Sequence, residues 1–70
     1  DAEGARIVEV AGRLFRARGY DGVGIDEIMA AAGLTRGGFY GYFRSKRALF
    51  AAVLADEHDF NRRMHARTGN

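Results

Sequence analysis

Between Thr35 and Lys46 the chain sets out one threonine hydroxyl, the two phenols of Tyr40 and Tyr42, the guanidinium of Arg36 and the ammonium of Lys46. Hydroxyls, ammonium groups and the free N–H groups at helix starts are the usual donors to phosphate oxygens. Thr35, Tyr40, Tyr42 and Lys46 therefore form a candidate phosphate-binding set. Arg36 adds a planar fork that bonds two acceptors at once, either O6 and N7 of a guanine edge or the oxygens of a phosphate. Gly37, Gly38 and Gly41 lie among these donors. Each glycine inside a helix costs roughly 1 kcal/mol relative to alanine. The return is close approach, because a backbone without Cβ atoms can lie against a large flat partner. The three glycines offer backbone and shape contacts only. Arg44 and Arg47 read as flanking charges that attract at long range.

These residues need a frame. The stretch from Gly24 to Phe43, GIDEIMAAAGLTRGGFYGYF, reads as two short helices joined by the turn Ala32-Gly33-Leu34-Thr35. In helix two, Ile25, Ile28, Met29 and Ala32 recur at helical spacing as a buried stripe. Gly24 stands at its N-cap with Glu27 three residues on, half of a capping box. Gly33 ends it and Leu34 packs inward. Thr35 caps helix three, Arg36–Tyr42, whose Phe39 and Phe43 share an inward face. Gly37 and Gly41 then lie on roughly the opposite face. A second helix that presents donors and bare backbone is the part of a helix-turn-helix that enters the major groove of DNA.

Upstream, Ile7, Val10, Ala11, Leu14 and Phe15 predict an amphipathic first helix over about residues 4–18. Arg16 and Arg18 suit the negative end of its dipole, and Gly19 supplies a left-handed stop. Gly12 interrupts it, as expected where another helix packs closely. Tyr20–Val23 is a short loop. Downstream, Ser45 caps a fourth helix that begins at Lys46, so the dipole adds positive field beside that ammonium. Leu49, Phe50, Val53, Leu54, Phe60 and Met64 mark its apolar positions, with one gap around Asp56–Asp59. The class is all-α: a three-helix head over residues 1–45, with the helix-turn-helix at about 24–43, and a connecting helix over 46–66. Phe60 and Met64 have little to pack against in so small a head, so they are expected to touch a further region of a longer chain.

Seventy residues make one small domain. The chain starts at Asp1 without methionine, which suggests a trimmed start. There is no cysteine, which excludes disulfide frameworks and fits a reducing, cytoplasmic setting. No apolar run in these residues is long enough to cross a membrane, and no signal peptide is expected. The net charge is only +2, but it is unevenly placed. Residues 1–27 carry four arginines against six acids, residues 28–55 carry Arg36, Arg44, Lys46 and Arg47 with no acid, and residues 56–70 balance three against three. The positive charge thus coincides with the turn and helix three, the footprint of a phosphate-facing surface. His58 and His65 stand seven apart, without the i, i+4 spacing of a helical zinc motif. They read as surface histidines, and no metal or cofactor is expected. No nucleophile–base arrangement, phosphate loop or carboxylate pair points to an enzyme.

The same residues resemble the TetR family of bacterial transcriptional regulators. The resemblance covers roughly Ile7–Leu54. It is carried by a first helix ending in LFRARGY, by IDEIMAAAGLTRGGFYGYF, and by SKRAL, in that order and at that spacing. It implies a DNA-binding head whose second and third helices form the helix-turn-helix. It further implies a helical C-terminal domain, absent from these residues, through which such regulators form homodimers and bind a small-molecule effector. The implied activity is repression at a palindromic operator of double-stranded DNA, relieved when the ligand shifts helix four. The family's reading residues match Arg36, Gly37, Gly38, Tyr40, Gly41 and Tyr42, and its phosphate-binding lysine matches Lys46. Hydroxyl residues common in the family near the start of helix two match Val23 and Gly24, which carry none. A large polar or aromatic residue is common where Gly41 stands.

A second reading comes from another class. Phe60, Met64 and the small size also suit a helical protein-interaction module with an apolar groove for a partner helix. The acid-free basic window weighs against it.

Overall fold

The computed structural model describes the backbone of residues 2–68 and the side chains of residues 2–57. Three α-helices and one short 3₁₀ helix make up the described chain: α1 Ala2–Arg18, α2 Ile25–Ala31, the 3₁₀ helix Arg36–Gly41, and α3 Lys46–Thr68. α1 packs against both α2 and α3, and α2 packs against the 3₁₀ helix.

The core is the stripe that the spacing predicts. Ile7, Val10, Ala11 and Phe15 from α1, Ile28 and Met29 from α2 with Ala32 beyond it, Phe39, and Leu49 and Val53 from α3 are all buried. Val23, in the loop before α2, joins them. No polar or charged residue is buried among the described residues, so the interior needs no internal polar partners. Leu54, expected on the inward face of α3, is half exposed. Phe60 and Met64, like His58 and His65, lie outside the described side chains.

The turns follow from their glycines. Gly19 has φ +81° and its N–H reaches Phe15 O at 2.7 Å, closing α1. Gly33 has φ +77°, with Gly33 N–H on Ala30 O and Leu34 N–H on Met29 O. That double closure is a Schellman turn, and it carries Leu34 back onto the core. Gly12 is buried on α1, where a Cβ would stand 3.4 Å from Val53 Cγ1, so its absence lets α3 lie close. Ser45 Oγ accepts from Ala48 N–H at 3.0 Å and caps α3.

Two expectations change at helix three. It is a 3₁₀ helix ending at Gly41, not an α-helix ending at Tyr42. Its i→i+3 bonds include Gly38 N–H to Thr35 O at 3.1 Å and Tyr42 N–H to Phe39 O at 2.9 Å. Three glycines in six residues explain this, since they weaken α-helical preference while a tight turn suits a short run. Thr35 does occupy the N-cap, but its hydroxyl makes no capping bond.

Candidate nucleic-acid interface

The 3₁₀ helix hangs on Phe39, which is fully buried. Its ring lies 6.0 Å from that of Phe43, and Phe43 is half-buried. The outward side carries Arg36, Gly37, Tyr40 and Gly41, all exposed, with Tyr40 at 71%. A Cβ built on Gly37 or Gly41 would meet no atom within 4 Å. These two glycines therefore fill no packing role inside the domain. Thr35 is exposed beside this face. Gly38 is half-buried, its absent Cβ facing Thr35 Oγ1 and Tyr42 at 3.9 Å.

The other candidates are tied to distant elements. Tyr42 is half-buried and donates its hydroxyl proton to Glu3 Oε1 in the first turn of α1, at 2.5 Å. That bond to a carboxylate raises the tyrosine pKa above its ordinary value, with desolvation adding to it. Lys46 is half-buried and holds Nζ 4.4 Å from the ring centroid of Tyr20, a cation–π arrangement. Tyr20 is fixed in turn by Phe15 and Phe50, at ring distances of 5.6 and 5.0 Å. The loop that carries Tyr20 thus positions the lysine.

Arg36 is not free either. Its Nε stands 2.7 Å from Asp26 Oδ1 in the first turn of α2. Glu27, next to Asp26, braces the frame. It accepts two bonds from Arg18, at 2.5 and 3.1 Å, and a third from Gly24 N–H at 3.1 Å. The Arg18 bonds, then the Gly24 bond, hold its carboxyl below the usual carboxylate range. Arg6 reaches Ala32 O at 3.3 Å, and Arg16 pairs with Glu57, so α1 is laced to the end of α2 and to α3.

Sequence spacing identifies the open face but misses Glu3, Asp26 and Tyr20. Each acts through a contact between elements, and no local signal marks it. Among the described residues no group of His, Asp and Glu is placed to hold a metal ion. No helix among them is long and apolar enough to cross a membrane.

A helix, a Schellman turn and a short second helix with an open outer face define a helix-turn-helix protein. A family model described as bacterial regulatory proteins, tetR family, matches residues 7–53, and the chain belongs to that family. It is 37% identical over 59 residues to the uncharacterized HTH-type transcriptional regulator YdgC of Bacillus subtilis (strain 168), an alignment covering 84% of this chain and 30% of that protein. It is 40% identical over 50 residues to the HTH-type transcriptional repressor DhaR of Mycobacterium sp. (strain GP1), covering 71% and 25%. It is 46% identical over 37 residues to the HTH-type transcriptional repressor NemR of Escherichia coli (strain K12), covering 53% and 19%. The chain spans less than a third of the length of these curated relatives. No solved structure matches it.

Proposed function

We propose that residues 1–45 are the sequence-specific DNA-binding head of a transcriptional repressor, and that α3 links it to a C-terminal region that dimerises and binds a small effector. The observation that carries the reading is the outward face of the 3₁₀ helix: Arg36 and Tyr40 flank two glycines whose Cβ positions are open, opposite the buried Phe39. Family membership supports the DNA partner, and two of the relatives are named as repressors. In this reading Arg36 meets a base edge or a phosphate. Gly37, Gly38 and Gly41 let the backbone approach. Thr35, Tyr40 and Lys46 hold phosphates, and Tyr42 joins them once its hydroxyl leaves Glu3. Two heads in a dimer match a palindromic operator, a cytoplasmic role follows, and no residue is assigned to catalysis.

Selection of bound sites from random duplex DNA, followed by titration at several salt concentrations, tests this. A palindromic site and an affinity falling steeply with salt are expected. Binding to a helical peptide with little salt dependence, and none to duplex DNA, would favour an interaction module instead.

A further inference from the structure

Asp26 and Arg36 face each other across the turn, 2.7 Å apart at Oδ1 and Nε, and the two side chains are 69% and 75% exposed. An arginine has five N–H donors, one on Nε and two on each terminal nitrogen. A carboxylate held at Nε leaves the donors on the two terminal nitrogens outside that contact. Those donors match the O6 and N7 acceptors of a guanine edge. The carboxylate also selects between the two partners open to Arg36. A phosphate oxygen at the same spot would meet the negative charge of Asp26, whereas a guanine edge offers neutral acceptors. An exposed pair of this kind adds little to the stability of the free protein. In a groove that excludes water, the same charges at the same distance interact several times more strongly.

We propose that Asp26 is a specificity-determining positioning residue: its carboxylate fixes the guanidinium plane of Arg36 so that Nη1 and Nη2 read O6 and N7 of one guanine in each half-site. This rests on the DNA-binding reading above. It assigns a function to an acidic residue that a simple charge count would score against DNA binding.

The test uses the full-length protein, its selected duplex, and the same duplex with the guanine replaced by 7-deazaguanine, which lacks the N7 acceptor. Wild type should lose about tenfold in affinity on the replacement, within the discrimination of one bidentate pair. Asp26→Ala should bind unrelated duplex as well as wild type or better, since a negative charge has gone. Its preference for guanine over 7-deazaguanine should shrink to about twofold. Arg36→Ala should abolish that preference, and the double variant should match Arg36→Ala. Asp26→Ala should melt close to wild type, which separates positioning from a structural role. Full guanine preference in Asp26→Ala overturns the inference and leaves the DNA-binding reading standing. So does a uniform loss in Arg36→Ala with the salt slope reduced by about 1, the mark of a phosphate contact. Failure of wild type to bind any duplex at low salt overturns both.

Discussion

The Tyr42 hydroxyl donates to Glu3 Oε1 at 2.5 Å, joining the end of the 3₁₀ helix to the first turn of α1 across 39 positions of chain. A phenol has one proton, so Tyr42 cannot donate to Glu3 and to a phosphate together. Glu3→Ala should free the hydroxyl and remove a negative charge. Duplex binding should then tighten at all sequences by about two- to fivefold, the scale of one exposed charge interaction. The same bond raises the Tyr42 pKa. A raised folded value means its stabilisation is complete below the unfolded value of about 10 and is lost as pH rises through the folded one. Tyrosinate absorbance checks it: in Glu3→Ala the Tyr42 midpoint should fall, and an unmoved midpoint would exclude the bond in solution.

At the acid end the group to watch is Glu27, held low by Arg18 and then by Gly24 N–H. A depressed folded value gives the opposite sign. The contribution is present above the unfolded carboxylate value of about 4.3 and is lost as pH falls through the folded one. Thermal melts of Glu27→Gln should lie below wild type at neutral pH and converge with it in acid. Parallel curves throughout would show that the Arg18 pair does not form in solution.

Lys46 and Tyr20 separate charge from placement. Lys46→Ala should weaken binding to all sequences alike and lower the salt slope by about 1. Tyr20→Leu removes the ring beneath the ammonium but keeps the charge. It should weaken binding while leaving the slope near its wild-type value. A changed base preference in Lys46→Ala would make the lysine a reader of bases.

The glycines divide by what a methyl would meet. Gly37 and Gly41 have open space and no positive φ. Alanine at either site should raise stability by about 0.4–1 kcal/mol and still weaken operator binding if the backbone docks closely, Gly37 more than Gly41. Gly22 is the contrast. Its Cβ would lie 2.4 Å from the Arg18 carbonyl oxygen, so Gly22→Ala should destabilise. Paired melts and operator titrations decide. Unchanged operator affinity in both Gly37→Ala and Gly41→Ala would remove the close-approach reading.

Periodicity and capping chemistry made most of the frame legible. The apolar spacing of Ile7 to Phe15 and of Ile28 to Ala32 marks faces that are buried. Gly33, Glu27 and Ser45 announce a helix end and two helix starts through their own local bonds. Helix three was legible as an element but not as a 3₁₀ helix, because glycine permits both forms and packing of Phe39 helps decide. Asp26 against Arg36 and Glu3 against Tyr42 were not legible. Their partners are ten and 39 residues away, and only the packing of α2 and α1 around the turn brings them together.

Phe39 carries the burial of the 3₁₀ helix, while Arg36, Gly37, Tyr40 and Gly41 stay in solvent. On the proposed DNA-binding reading, folding and recognition are loaded onto different side chains of one six-residue segment. Replacing Phe39 by alanine puts about 3–5 kcal/mol at stake, a large share of what so small a domain has. The four outward positions can change with little stability at risk. On that same reading a lineage built on this head could drift from one operator to another through folded intermediates, and a library randomised at those four sites while Phe39 is kept should consist largely of folded proteins, new DNA targets among them.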